Sequence, residues 1–97
     1  MLLEVLTPQK LLYRGKVDHV KMPGIDGSFG VMNNHAPLIS ALQKGRVYIE
    51  QSVSGNKQFD ELSGEFITDI AKDTEFDFAI NGGVVEVLKN KIIILAE

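Results

Sequence analysis

Apolar residues along this chain come in short runs broken by turn formers, and few windows hold a 3.6-residue apolar period for three turns, so the pattern predicts strands rather than helices. Strands are expected over Leu2 to Thr7, stopped by Pro8, and over Lys10 to Tyr13, stopped by Gly15. Two more follow, Val17 to Met22 ending at Pro23-Gly24 and Ser28 to Val31 ending at Asn33-Asn34. Each break uses residues that fix φ or tolerate positive φ, which gives the turn a physical cause. Leu38 to Leu42 has no clear alternation and reads as irregular. Arg46 to Val53 alternates well, with Val47, Ile49, Gln51 and Val53 on one face, and Ser54-Gly55-Asn56 then turns the chain. In Glu75 to Ile80 the residues Phe76, Phe78 and Ile80 share a face opposite acids. The end reads as a hairpin: Val84 to Leu88, a tight Lys89-Asn90 link, then Lys91 to Leu95, whose continuous apolar run predicts burial on both sides. The fold class expected is all-β, with two packed, mainly antiparallel sheets or a small barrel.

Composition narrows the class. A length of 97 residues suits one domain, and 44% hydrophobic with 24% charged residues suits a globular one. No apolar run approaches the roughly 20 residues of a bilayer span, and the N-terminus lacks the basic flank of a signal peptide. The absence of cysteine excludes disulfides, thiolate metal sites and cysteine nucleophiles. A net charge of -3 argues against a general nucleic-acid binder. That charge is uneven: residues 1–50 sum to +2 and residues 51–97 to -5. Asp60, Glu61, Glu65, Asp69, Asp73, Glu75 and Asp77 face only Lys72, which reads either as a docking surface for a basic partner or as a solvated strand face.

Candidate catalytic chemistry is sparse. His19 and His35 are the only histidines, and no paired-histidine spacing of a zinc site occurs. Gly24, Gly27 and Gly30 are spaced as GxxGxxG rather than GxGxxG, with no following Lys-Ser or Lys-Thr, so tight turns explain them better than phosphate binding. The pair Asp60-Glu61 lies in a polar stretch poorly suited to shifting a carboxyl pKa. No catalytic residue, cofactor site or metal site is expected.

The stretch Pro23-Gly24-Ile25-Asp26-Gly27-Ser28-Phe29-Gly30-Val31 through His35-Ala36-Pro37-Leu38 resembles the epsilon subunit of bacterial F-type ATP synthases, in which a G-x-(F/L)-G-(V/I) turn leads to H-A-P-L. Leu42, Gly45 and Val47-Tyr48-Ile49 resemble the strand that follows, Gly82-Gly83-Val84-Val85-Glu86-Val87 the family's G-G-x-x-E-V element, and Ile93-Ile94-Leu95-Ala96-Glu97 its closing segment. The resemblance implies a β-sandwich of about ten strands that clamps the gamma subunit's foot and rests on the ring of c subunits, peripheral to the cytoplasmic face of the inner membrane and without inserting into it. Its role would be mechanical coupling in the rotor, not catalysis.

By that resemblance Asp26, Gly27, Ser28 and Phe29 face the c-ring, although many relatives have an acid where this chain has Ser28. His35, Leu38 and Leu42 belong to the gamma surface, and a turn histidine bonded to local backbone is the other reading of His35. Two departures stand out. An acidic insertion at about 54–73, carrying Phe59, Leu62, Phe66, Ile67 and Ile70, is expected to be ordered as longer strands or an added hairpin. The sequence also stops at Glu97, where most relatives continue into a regulatory pair of helices, so inhibition and ATP binding by such helices are not expected of these residues. The rival class is a small β-sandwich ligand-binding module, such as a carbohydrate binder, but the chain has no Trp and only Tyr13 and Tyr48. A small β-barrel enzyme is a weaker third reading.

Overall fold

The computed structural model describes residues 1–57, 63–66 and 74–97. Among them are eight strands and one helical turn: β1 (Leu2–Leu6), β2 (Leu11–Gly24), β3 (Gly27–Met32), β4 (Leu38–Leu42), β5 (Gly45–Gln51), α1 (Val53–Lys57), β6 (Glu75–Ile80), β7 (Gly83–Leu88) and β8 (Lys91–Ala96). The all-β sandwich expected from the sequence is the observed architecture, with a described strand count of eight rather than ten.

One long strand organises the fold. The sequence pattern splits residues 10–22 into two strands at Gly15, yet β2 runs unbroken from Leu11 to Gly24. Gly15 is buried in register with Leu3 of β1, where a residue without a side chain is accommodated in the ladder and no turn is needed. Pro23 also stays within β2. Pairing with β5 spans Val17 to Lys21, so the N–H that proline lacks is not missed there, and the Pro23 carbonyl accepts from Gln43 N at 2.8 Å.

The first half of β2 pairs antiparallel with β1, which continues through a parallel pairing to β8 and on to β7 and β4. The second half lies between β3 and β5, with β6 beyond β5. A single bridge, Gly24 to Leu42, returns β4 to the far end of β2. The strands thus form one mixed, hydrogen-bonded sheet folded into two layers, because β2 belongs to both.

Alternation supplies the core. Leu3 and Val5 of β1, Val47 and Ile49 of β5, Phe78 and Ile80 of β6, Val85 and Val87 of β7, and Ile92 and Ile94 of β8 all point inward. Fully burying each aliphatic side chain contributes about 1.5–3 kcal/mol. β8 is not buried on both sides: Ile93 is half-covered and Leu95 faces outward at 54% exposure, so its apolar run reflects a second apolar surface. Leu38 to Leu42 is a regular strand, held by five antiparallel partners on β7 from Leu38–Val87 to Leu42–Gly83. The β7–β8 hairpin turns through Lys89 and Asn90 with φ of 50° and 61°, the two positive values of a type I′ turn.

Where β5 ends at Gln51, Ser52 Oγ accepts from Gly55 N at 3.1 Å and starts α1, so Val53 does not extend the strand and 54–56 is a helical turn. Asn56 then replaces a missing strand partner. Its Oδ1 accepts from Lys16 N and its Nδ2 donates to Lys16 O, both at 2.8 Å. Inside, the Tyr13 hydroxyl donates to Gln51 Oε1 at 2.8 Å, satisfying two fully buried polar groups. The acidic insertion falls mainly on 58–62 and 67–73, outside the described residues. Of its described residues, 54–57 belong to α1 and 63–66 lie along the first half of β2: Ser63 bridges Arg14, Phe66 N donates to Leu12 O at 2.8 Å, and the Phe66 ring packs on Phe78 at 5.1 Å.

Candidate functional site

The surface divides into two ends and two outer faces. At one end the β2–β3 hairpin turns through Ile25 and Asp26, both exposed, with Gly27 at φ 126°. A Cβ at Gly24 would meet the Phe29 ring at 2.8 Å, so Phe29 lies over Gly24 and packs half-buried against the core. Asp26, Gly27 and Ser28 are open to solvent at this tip, whereas Phe29 supports it from beneath. Gln43 braces the tip, its Nε2 donating to Gly24 O at 2.9 Å.

The exposed segment 33–37 lies at the other end of β3, roughly 20 Å away at about 3.3 Å per strand residue. His35 Nδ1 lies 2.7 Å from Ala36 O, and since a carbonyl only accepts, the proton sits on Nδ1. This is the local backbone contact that the sequence allowed for a turn histidine. The segment is tied to the rest of that end: the Met1 ammonium donates to Asn33 Oδ1 at 2.8 Å and to Val17 O at 3.1 Å, and Asn34 N donates to Asn90 Oδ1 at 2.9 Å. Burial lowers the pKa of the Met1 ammonium, helped by nearby Lys16.

His35, Leu38 and Leu42, grouped by resemblance, are not presented together. Leu38 is half-buried and points inward, and Leu42 lies in the core at the opposite end of β4. The outward residues of that strand are Ile39, 73% exposed, and Ala41. They open the outer face of β4, β7, β8 and β1. Ala41, Val84, Leu95 and Leu6 fall in one cross-strand row, and Ile39, Glu86, Ile93 and Glu4 in the next. Sequence reasoning missed this face because Leu38 to Leu42 shows no polar alternation to reveal which residues turn out. One signal was available: Glu86 lies between Val84 and Leu88 at strand parity, and it marks all three as outward.

The outer face of β2, β5 and β6 has different chemistry. Lys21, Tyr48 and Asp77 form one row, and His19, Glu50 and Glu75 form another. Arg46 Nε donates to Asp77 Oδ2 at 3.1 Å, and the carboxylate raises the pKa of the guanidinium. A Cβ on Gly30 would come within 2.6 Å of His19 Nε2, so the imidazole reaches over β3 at Gly30. A shallow groove of about 380 Å³ runs between Lys21, Tyr48, Glu75 and Asp77. Among the described residues no cluster of His, Asp and Glu could hold a metal ion. None of their helices is long and apolar enough to cross a membrane.

A family model described as the β-sandwich domain of the ATP synthase delta/epsilon chain matches residues 1–67. The chain belongs to that family. It is 38% identical over 95 residues to the ATP synthase epsilon chain of Chlorobium limicola, covering 98% of this chain and 86% of that one. It is also 38% identical over 97 residues to the epsilon chain of Maridesulfovibrio salexigens, where it spans 54% of the relative's length. In fold it is similar to a chain in the Euglena gracilis mitochondrial ATP synthase structure with OSCP, F1 and c-ring, with a TM-score of 0.72 at 17% identity over 97% of this chain and 48% of that one. A chain of the Tetrahymena thermophila central stalk and c-ring gives a TM-score of 0.65 at 20% identity, over 99% of this chain and 62% of that one. The epsilon-type resemblance read from the motifs is therefore the family relationship, and these motifs are spread over both layers of the sandwich.

Proposed function

We propose that this epsilon-type chain is a non-catalytic subunit of the rotor in an ATP synthase, binding the gamma subunit and the c-ring and coupling ion translocation to ATP synthesis. The observation that carries the reading is the broad apolar outer face of β4, β7 and β8 on a chain whose whole length matches epsilon chains. Exposed apolar area of this kind is uncommon on a free monomer and fits a stable protein interface. A sheet whose two layers share one hydrogen-bonded strand resists shear between them, and a coupling subunit must bear load without yielding.

Within this reading the Asp26, Gly27 and Ser28 tip meets polar loops of the c-ring, with Phe29 stiffening it. His35 contributes to the gamma side, and Leu38 and Leu42 act from inside by holding Ile39 and Ala41 outward. The chain works at the cytoplasmic face of the membrane as a peripheral part of the complex. Co-expression with the gamma subunit from the same genome is expected to yield a stoichiometric complex that survives gel filtration. Separate elution at micromolar concentration would overturn the proposal, and retention of a sugar or small ligand instead would favour a binding module.

A further inference from the structure

On the apolar outer face, Glu86 is the carboxylate at the centre. Ile39 and Ile93 flank it across the ladders, and Val84 and Leu88 lie two residues before and after it on β7. Shallow dents lie on both sides, one against Pro37 and Leu38 and the other against Lys89 and Ile93. Two lysines line the second dent with Glu86: Lys91, whose Nζ is 2.6 Å from Glu4 Oε1, and Lys89 at the hairpin turn. Among the described residues no cation forms an ion pair with Glu86.

A carboxylate left without an ion pair under an apolar partner would lose its water without compensation, a cost large enough to prevent docking unless the partner brings a positive charge. We infer that the partner of this face is an apolar protein surface bearing a lysine or arginine that pairs with Glu86, so that Glu86 determines which surface can dock. The inference rests on the rotor reading and specifies the chemistry of its gamma-facing contact. A lipid surface offers no fixed cation in its apolar layer. A second copy of this chain docked about a two-fold axis through the patch would set Glu86 against its own equivalent, and like charges would meet.

The test compares Glu86→Gln, Glu86→Leu and, on the opposite charged face, Glu75→Gln, titrated against the gamma subunit by calorimetry with thermal melts as the folding control. Both Glu86 variants should bind on the order of 30-fold or more weakly, as when one member of a buried interfacial ion pair is removed, and Glu75→Gln should match the unmodified chain. Unchanged or tighter binding by Glu86→Leu overturns the inference while leaving the rotor reading intact. Absence of gamma binding by the unmodified chain removes both. A homodimer strengthened by Glu86→Leu in sedimentation equilibrium overturns it in favour of self-association.

Discussion

The two outer faces of this sandwich are built from the same kind of ladder and differ in what their outward rows carry. On β4, β7 and β8 the outward residues are Ile39, Ala41, Val84, Leu88, Ile93 and Leu95 around Glu86. On β2, β5 and β6 they are Lys21, Arg46, Tyr48, Glu50, Glu75 and Asp77. A strand needs only one face for the core, so the other is free to be specified by its surroundings. Charges that satisfy one another, such as Arg46 with Asp77, suit a face in water. Apolar rows suit a face that is covered.

The strongest way to break this comparison is to place charge on the apolar face. The double variant Ile39→Asp, Leu95→Asp is expected to lose gamma binding by roughly 1,000-fold, equivalent to about 4 kcal/mol. Its melting temperature should shift by only a few degrees, because both side chains already face solvent. The same fold-loss from Glu50→Lys on the charged face would erase the distinction.

Backbone proximity provides the next test. At Gly83, where φ is 150°, an added Cβ would collide with the Leu95 carbonyl, whereas at Gly30 it meets the movable His19 ring. Gly83→Ala is expected to cost about 3 kcal/mol in urea unfolding, from strained φ and displaced β8. Gly30→Ala should cost well under about 1 kcal/mol, since an imidazole can rotate away. Equal losses would mean that the two layers are equally tight.

A smaller effect concerns the joint between the layers. Tyr13→Phe removes the donor to Gln51 and should cost about 1–3 kcal/mol, the range for a buried polar atom left without its partner. Burial raises the Tyr13 phenol above its ordinary range near pH 10, opposed by a hydrogen bond from Asn56. The unfolded phenol therefore ionises first, and the folded state loses stability as pH rises past about 10, with no such slope below it. Tyr13→Phe should flatten that alkaline limb in melts followed from pH 8 to 11. The smallest effect is expected from Arg46→Ala, an exposed pair that salt screens, with no resolvable change in melting temperature at 0.5 M salt.

Much of the ladder was legible in the chain. Glu75 to Ile80 and Arg46 to Gln51 alternate as read, and the Lys89-Asn90 turn falls where the pattern put it. The misreadings share a cause. Gly15 and Pro23 are local turn formers that tertiary pairing held extended, and Leu38 to Leu42 lacks alternation because its outward residues are apolar too. The candidate site was legible only as motif resemblance: Asp26, Gly27, Ser28 and His35 lie on the surface, and Leu42 belongs to the core.

By itself the sequence determined an all-β domain and, through ordered motifs, its family. Those properties depend on residue type and short-range spacing, which a linear chain displays. Only the tertiary structure decided that β2 joins both layers, that the two resemblance sites occupy opposite ends, and that Ile39, Val84, Glu86 and Leu95 share a surface. Cross-strand register sets these relations, and register follows from the choice among long-range pairings that put the apolar rows inside.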